Sequence, residues 1–250
     1  MVVEGLKLNY RVEGNGTPLL LVHGFGISFN IWKNLAPLLR KHHTLVMAEL
    51  PGIGESPMPA AGQTYLQAAI EGIEQVRLAV GFEKWDVLGY STGSRIAEAY
   101  VQRYAPHVGC AIFLCPARVE VIKLLSLKIG FWIDGFLPAT GDWILSGWRL
   151  KFLITWFGFN LRPEPLADEW YAEIGAAPVC VLKETLKMVI SVGTKPFSVP
   201  VPCIFIWGDA DIVPATPRKA GAEDYFVHAR HDAPLAAAGE VVQVILSILK

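Results

Sequence analysis

The sequence predicts an α/β protein built on a mostly parallel β-sheet. Short apolar runs alternate with longer segments of helical periodicity, which is the pattern of βαβ units. One such run, Leu19–His23, is apolar at nearly every position, as expected of a strand covered by helices on both faces. The length of 250 residues also suits one large domain of this class.

The individual elements follow from these patterns and from the turn residues that separate them. The predicted strands are Val2–Glu4, Leu6–Glu13, Leu19–His23, Thr44–Ala48, Trp85–Tyr90, Val108–Cys115, Cys203–Trp207 and Tyr225–Val227. The predicted helices around them are Phe29–Arg40, Tyr65–Val80, Thr92–Tyr104 and Glu240–Leu249.

The alternation of strands and helices stops in the middle of the chain. From Arg118 to about Lys195 the sequence predicts helices broken by Gly and Pro, with no convincing strand. We therefore predict a core domain formed by residues 1–117 and 196–250 and a helical cap inserted at 118–195. Such an insertion would lie over the carboxyl edge of the strands, where sites form in open α/β sheets.

Composition excludes several classes of partner and compartment. With 22 basic and 23 acidic residues the net charge is −1, so no basic excess is present to neutralise the phosphates of a nucleic acid. No apolar stretch approaches the roughly 18 residues of a membrane span, and no signal peptide is visible. The four cysteines lack CxxC spacing and are expected to be free thiols, which favours a cytoplasmic enzyme.

The strongest local motif is Gly89-Tyr90-Ser91-Thr92-Gly93, which fits G-x-S-x-G. It follows a predicted strand and opens a predicted helix, the context in which such a serine sits on a strained turn and serves as a nucleophile. The glycines are needed there because bulky neighbours would clash. We predict Ser91 as the nucleophile; the alternative is an ordinary serine in a glycine-rich turn.

A second glycine-containing turn, His23-Gly24-Phe25-Gly26, ends the strand at Leu19–His23. The backbone N–H of Phe25 is predicted to pair with that of Thr92 as an oxyanion hole, which acts where negative charge appears in the transition state. His23 itself is expected to be a structural residue that braces this loop.

Two acids and several histidines compete for the remaining roles. Asp209 and Asp211 both lie just beyond the strand at Cys203–Trp207, where a carboxylate could orient a histidine. His231, in the loop before the terminal helix, is the best-placed base, and His228 is the main alternative. The residues by themselves leave the choice between the two acids open.

Five segments taken together resemble the α/β-hydrolase superfamily over essentially the whole chain. They are His23–Gly26, Leu50–Ser56, Gly89–Gly93, Gly208–Pro214 and His231–Pro234. The resemblance implies the α/β-hydrolase fold, with an eight-stranded, mostly parallel sheet and a helical cap. It also implies Asp211 as the acid, since the family's acid usually stands three residues before the proline of this segment, and the order Ser, Asp, His is that of the fold.

Three features depart from the family pattern. Glu49 stands where the family usually has a structural Asp, and Arg230 precedes the proposed base where glycine is common. Only twenty positions separate Asp211 from His231, so the connecting helix between Pro217 and Gly221 is expected to be short.

The predicted activity is hydrolysis of a carboxylic ester through an acyl-enzyme on Ser91, with no metal and no cofactor. The chain has no convincing HExxH motif, no clustered Cys/His ligand set and no GxGxxG at its first strand. Serine at position 91 weighs against haloalkane dehalogenases and epoxide hydrolases, which resemble this chain but need a carboxylate there. A carbon–carbon hydrolase, perhydrolase or lyase stays open, as does a ligand-binding protein of the same fold.

The insertion gives the one indication of the substrate. It holds five of the eight tryptophans: Trp132, Trp143, Trp148, Trp156 and Trp170. We predict that the first four line a hydrophobic pocket for a lipophilic or aromatic ester. Basic residues such as Arg149 and Lys151 lie among them and also suit transient contact with an anionic membrane surface. The remaining alternatives are packing of the insertion on the core, or on a second copy.

Overall fold

A single sheet organises the computed structural model, which describes residues 7–117, 121–137, 139–159, 165–192, 194–213 and 221–249. Its seven strands in these residues are β1 (Tyr10–Gly14), β2 (Thr17–Val22), β3 (His43–Ala48), β4 (Trp85–Tyr90), β5 (Val108–Leu114), β6 (Cys203–Gly208) and β7 (Asp224–Val227). The spatial order is β1-β3-β2-β4-β5-β6-β7. Strand β1 is antiparallel to β3, and all the other pairs are parallel.

Helices cover both faces of the sheet and fill the long connection after β5. They are α1 (Ala36–Leu39), α2 (Tyr65–Val80), α3 (Gly93–Tyr104), α4 (Val121–Phe136), α5 (Thr140–Ile144), α6 (Gly147–Phe159), α7 (Pro165–Ala176), α8 (Val179–Val192), α9 (Ala233–Ala236) and α10 (Ala238–Ile248). Five of these, α4 to α8, lie between β5 and β6. None of the described helices is long and apolar enough to cross a membrane.

The predicted α/β fold with a mostly parallel sheet is confirmed. The predicted strand Val2–Glu4 lies outside the described residues, so seven strands of the expected eight are accounted for. The predicted helix Phe29–Arg40 is wrong: a 3-10 turn at Phe29–Trp32 is followed by the four-residue α1. Pro37, near the start of α1, has no N–H to continue a helix from the preceding turn, but it is well suited to begin one.

The central strands are apolar throughout because both of their faces are buried. Leu19 and Leu21 of β2 belong to one apolar cluster, whereas Leu20 and Val22 belong to the cluster on the opposite face. Successive side chains of a strand point to opposite faces, so a strand between two layers of helices needs apolar residues at every position.

The topology brings four loops to one edge of the sheet. Strands β2, β4, β6 and β7 are parallel, so the segments that follow their carboxyl ends meet at that edge. These segments carry, in turn, Phe25, Ser91, Asp211 and His231. The fold therefore assembles in space the residues that are widely separated in the sequence.

Candidate active site

Ser91 lies at the sharp turn between β4 and α3. Its φ angle is +52°, in the left-handed region that L-residues rarely adopt. The adjoining glycines are required by close approach: a Cβ at Gly93 would lie 2.1 Å from the carbonyl oxygen of His23, and one at Gly89 would lie 2.7 Å from the Cβ of Ala97. The backbone N–H of Ser91 donates to Leu114 O at 3.0 Å, which fixes the turn against β5.

This backbone strain predicts an ordering of two variants at position 91. Both Ser91→Ala and Ser91→Gly remove the hydroxyl, but only glycine accepts the positive φ without cost. A strained residue of this kind costs about 1–3 kcal/mol, and the greater freedom of glycine in the unfolded chain offsets up to about 1 kcal/mol of that. We expect Ser91→Gly to be more stable than Ser91→Ala by about 1 kcal/mol in chemical denaturation. Equal stabilities, or a less stable glycine variant, would contradict a strained turn.

Three of the predicted site residues form one continuous hydrogen-bonded chain. Ser91 Oγ lies 2.8 Å from His231 Nε2, and His231 Nδ1 lies 2.8 Å from Asp211 Oδ2. The other carboxylate oxygen of Asp211 accepts a hydrogen bond from Val213 N–H at 2.8 Å. All three residues are buried, with Ser91 6% and His231 7% exposed. A histidine held between a carboxylate and a hydroxyl in this order can accept the hydroxyl proton while the carboxylate stabilises the resulting imidazolium.

A second Asp–His pair lies on the surface close by in sequence. His228 Nδ1 is 2.8 Å from Asp209 Oδ2, the same separation as in the buried pair. The His228 side chain is 86% exposed, and its pKa is raised by the hydrogen bond to Asp209. The structure thus pairs each acid with one histidine, and within the described residues only the Asp211–His231 pair reaches a serine.

The loop after β2 lies directly against Ser91. A Cβ at Gly24 would lie 3.0 Å from Ser91 Cβ, a tight contact, so the absence of a side chain lets this backbone approach the nucleophile closely. Among the described residues, neither Phe25 N–H nor Thr92 N–H donates to a protein acceptor. Both groups are therefore available to a bound oxygen, as an oxyanion hole requires.

His23 braces this loop from inside the protein. Its Nε2 accepts the backbone N–H of Leu50 at 2.8 Å, and its Nδ1 lies 2.9 Å from Gly24 O. Burial lowers the pKa of His23 to about 4. The neutral ring, with one nitrogen as acceptor and the other as donor, matches both contacts.

The lowered pKa makes stability depend on pH. An unfolded histidine titrates near 6.5 and folded His23 near 4, so between these values the unfolded chain binds more protons. The free energy of unfolding should therefore fall as pH drops from about 6.5 to about 4, by up to about 3 kcal/mol from this residue. Melting temperatures of His23→Gln across that range should show a flatter pH dependence. As a control, His107→Gln should keep the slope of the unmodified protein, and an unchanged slope in His23→Gln would contradict this origin.

Three further residues support the site, and the motifs assigned none of them a role. Tyr90 donates its hydroxyl to His231 O at 2.6 Å. Arg230 Nη1 donates to Phe159 O at 2.9 Å, which connects the histidine loop to α6. Cys115 has a φ of +43° and is buried beside Asp211; burial, together with that negative charge, raises the pKa of its thiol well above the usual value.

One departure from the family pattern, Glu49, has a local explanation. Glu49 accepts hydrogen bonds from Asn9 Nδ2 at 2.8 Å and from Glu55 N–H at 2.9 Å, so it holds two loops together. The short connecting helix expected between Pro217 and Gly221 falls almost entirely outside the described residues.

One cluster in the described residues offers ligand atoms for a metal ion. Cys115, Asp211 and His231 each present one such atom, all within 4.8 Å of one another. The carboxylate of Asp211 and the ring of His231 are already hydrogen-bonded to each other at 2.8 Å. A metal ion there would have to replace the contact that orients the histidine.

The four tryptophans predicted to line a pocket lie on the outer surface. Trp132, Trp143, Trp148 and Trp156 are 66%, 57%, 69% and 44% exposed, respectively. Trp170 is the buried one among those of the inserted region; it borders a cleft of about 500 Å³ with Ile27, Lys33 and Leu235, among others. Neither Ser91 nor His231 lines that cleft. The exposure of the four side chains does not favour a pocket built from them.

Comparison with known proteins agrees with this architecture. Residues 17–141 match the family described as the alpha/beta hydrolase fold. A soluble epoxide hydrolase of a Corynebacterium species is 29% identical over 182 residues, which are 69% of this chain and 63% of that protein. A 2-hydroxymuconate semialdehyde hydrolase of a Pseudomonas species is 28% identical over 177 residues, which are 68% of this chain and 59% of that protein. The matched segments thus span about three-fifths of the length of these two relatives.

A solved structure extends the likeness over nearly the whole chain. A hydrolase from Pseudomonas aeruginosa superimposes with a TM-score of 0.76 at 18% identity and covers 95% of this chain and 94% of that one. At this level of identity the likeness concerns the fold. With the family match over half of the sequence, it establishes that the chain belongs to the α/β-hydrolase fold family.

Proposed function

We propose that this protein is a serine hydrolase that cleaves carboxylic esters through an acyl-enzyme. The observation that carries the proposal is the chain of two 2.8 Å contacts from Ser91 Oγ through His231 to Asp211. The backbone N–H groups of Phe25 and Thr92 have no acceptor among the described residues, and they are predicted to serve this triad as the oxyanion hole. Membership of the family supports the class of hydrolase, and the side chains themselves support the acyl transfer.

In the proposed mechanism Ser91 Oγ attacks the carbonyl carbon while His231 Nε2 takes the hydroxyl proton. Asp211 holds the imidazole in orientation and stabilises its positive charge. The N–H groups of Phe25 and Thr92 donate to the oxyanion of the tetrahedral intermediate. His231 then returns the proton to the leaving alcohol, and the same histidine activates a water molecule that hydrolyses the acyl-enzyme.

Serine as the nucleophile favours acyl substrates over the epoxide named for the Corynebacterium relative. Attack of a serine oxygen on an epoxide or haloalkane carbon would leave an ether, which an activated water cannot hydrolyse readily. A carboxylate nucleophile instead leaves an ester, which can be hydrolysed. The hydroxyl at Ser91 therefore supports reaction at a carbonyl carbon.

We further propose that the inserted helices act as a cap over the site and favour an apolar acyl or aromatic group. Ile174 of α7 and Leu182 of α8 lie against the loop that carries the predicted oxyanion hole, since a Cβ at Gly26 would be 2.9 Å and 2.6 Å from their side chains. These residues belong to the same apolar cluster as Tyr90 and Leu235, next to the histidine loop. An apolar substrate group would replace such contacts without leaving a buried polar atom unpaired.

Cleavage of a carbon–carbon bond is the second candidate. The Pseudomonas relative is named for a 2-hydroxymuconate semialdehyde, and its sequence matches this chain at 28% identity over 68% of the chain. Attack at a ketone carbonyl would need the same serine, histidine and oxyanion hole, so the substrate rather than the triad distinguishes the two reactions.

Hydrolysis of p-nitrophenyl esters with acyl chains from two to sixteen carbons tests the proposal, with Ser91→Ala as the background control. We expect turnover that rises with chain length and is abolished in the variant. A 2-hydroxymuconate semialdehyde is assayed in parallel. Turnover of this compound alone would replace ester hydrolysis by the second candidate. A folded protein that turns over neither would contradict the proposal and would favour a lyase or a ligand-binding role on the same fold.

A further inference from the structure

The region between β5 and β6 exposes an unusual amount of apolar surface. Of the fourteen large apolar side chains that are exposed in the described part of the chain, nine fall between residues 125 and 156. They are Leu125, Ile129, Trp132, Phe136, Leu137, Trp143, Trp148, Phe152 and Trp156. Six of the nine are aromatic. We call this set the aromatic face; it lies on α4, just after α4, on α5 and on α6, and α5 contacts both α4 and α6. Exposed apolar surface of this extent marks interaction sites.

The aromatic face has the periodicity of two helix stripes. On α4, the exposed Leu125, Ile129 and Trp132 are followed by Phe136, at intervals of three and four residues. On α6, Trp148, Phe152 and Trp156 recur every four residues. Residues at these spacings lie on one side of a helix.

The buried side of α6 is apolar as well. Leu150 and Ile154 are 2% and 7% exposed and belong to the core cluster. A helix that needed only to cover the core would carry polar residues on its other side. The exposed stripe of α6 is therefore not explained by packing among the described residues.

Basic groups lie among the aromatic residues. The Arg149 guanidinium lies 4.0 Å from the ring centroid of Trp143 and 5.5 Å from that of Trp148, so it joins α5 to α6 across the aromatic face. Lys128 is exposed on α4 beside Ile129. The acidic residues of the region, Asp134 and Asp142, both form ion pairs with Lys183, at 3.0 Å and 2.8 Å. Within the described residues, neither Lys128 nor Arg149 has an acidic partner.

We propose that the aromatic face docks on an anionic lipid membrane, with its aromatic rings at the level of the headgroups. Tryptophan and phenylalanine insert their rings at the boundary between headgroups and acyl chains, and neighbouring basic residues bind the phosphates. The charge supports a membrane over a second copy of this chain. In a symmetric dimer built on this face, two surfaces with the same basic groups would oppose each other, whereas an anionic membrane is complementary to them. Binding of this kind leaves the helices lying on the membrane surface and does not depend on the proposed catalytic mechanism.

Vesicle flotation of the whole protein tests this proposal. Vesicles of phosphatidylcholine alone are compared with vesicles in which about a third of the lipid is phosphatidylglycerol, at low and high salt, because salt screens exposed charges. We expect binding to the anionic vesicles, weakened by salt, with a blue shift of tryptophan fluorescence. Trp148→Ser combined with Trp156→Ser should weaken it at least about tenfold. Lys128→Gln and Arg149→Gln should each weaken it about fivefold at low salt.

Matched variants elsewhere on the surface distinguish binding through the aromatic face from nonspecific adsorption of the protein to vesicles. Leu78→Ser removes an apolar side chain that is 56% exposed on α2, and Lys41→Gln removes an exposed charge before β3; both should bind as the unmodified protein does. Circular dichroism confirms that each variant is folded. Failure of the unmodified protein to bind anionic vesicles would overturn the proposal. So would equal binding to both vesicle types, or a dimer in sedimentation that Trp148→Ser dissociates without any vesicle binding.

Discussion

Replacement of His231 by alanine is expected to lower kcat for a p-nitrophenyl ester by about 10⁶-fold, whereas His228→Ala should change it by less than about twofold. His231 is the group that lies within hydrogen-bond distance of Ser91 Oγ, at 2.8 Å, so its loss leaves the hydroxyl without a base. The residual rate would come from substrate binding and the oxyanion hole.

The two histidine variants form a matched pair because each native ring contacts an aspartate at 2.8 Å. They differ in burial and in the presence of a serine. Steady-state kinetics on the ester with the best turnover measures both, and thermal melts confirm folding. A large loss of kcat in His228→Ala with little loss in His231→Ala would contradict the assignment of the base.

Substitution of Asp211 by asparagine is expected to lower kcat by about 10⁴-fold. The carboxylate accepts one hydrogen bond from His231 Nδ1–H, at 2.8 Å, and another from Val213 N–H. It therefore fixes the ring with Nε2 free to accept a hydrogen bond from the Ser91 hydroxyl. An amide of the same shape can turn its NH₂ towards the ring, which reverses the tautomer and removes the negative charge that stabilises the imidazolium. The loss should appear in kcat rather than in KM, because the interaction is strengthened in the transition state.

Asp209→Asn is the matched control for this change. It neutralises a carboxylate two residues away whose partner, His228, lies on the surface. We expect kcat within about twofold of the unmodified protein and a small effect on stability, as is usual for exposed ion pairs. Comparable losses in the two asparagine variants would indicate a general electrostatic effect of the loop instead of a specific role for Asp211.

The class of fold and the position of Ser91 follow from local patterns in the sequence. Runs such as Leu19–Val22 are apolar at every position because both faces of the strand are buried, and this property is local enough to be visible in a single segment. The glycines around Ser91 are similarly informative, since a Cβ would lie 2.1 Å from His23 O at Gly93 and 2.7 Å from Ala97 Cβ at Gly89, closer than real Cβ contacts.

Which aspartate is hydrogen-bonded to which histidine depends on the tertiary structure. Asp209 and Asp211 lie in one loop and His228 and His231 in another, so spacing and composition hardly distinguish them. The two loops are joined by backbone hydrogen bonds from Asp209 N–H to Val227 O and from Ala210 N–H to Ala229 O. These contacts turn Asp211 and His231 towards Ser91 and leave the other pair in solvent.

The roles of the residues that support the site could not be predicted from the sequence, for a similar reason. Tyr90, Cys115 and Arg230 act through contacts with residues 141, 96 and 71 positions away, respectively, that is, with His231, Asp211 and Phe159. Nothing in their local sequence marks such contacts.

The direction of the tryptophans also required the tertiary structure. Helix α6 is apolar on both sides, so its periodicity predicts a helix but not which side faces the core. In the folded protein Leu150 and Ile154 pack in the interior, whereas Trp148 and Trp156 are exposed at the surface. The tryptophans that predicted a pocket therefore form an exposed face. When a helix is apolar on two sides, the side that is buried depends on the neighbouring elements and not on the residues of the helix itself.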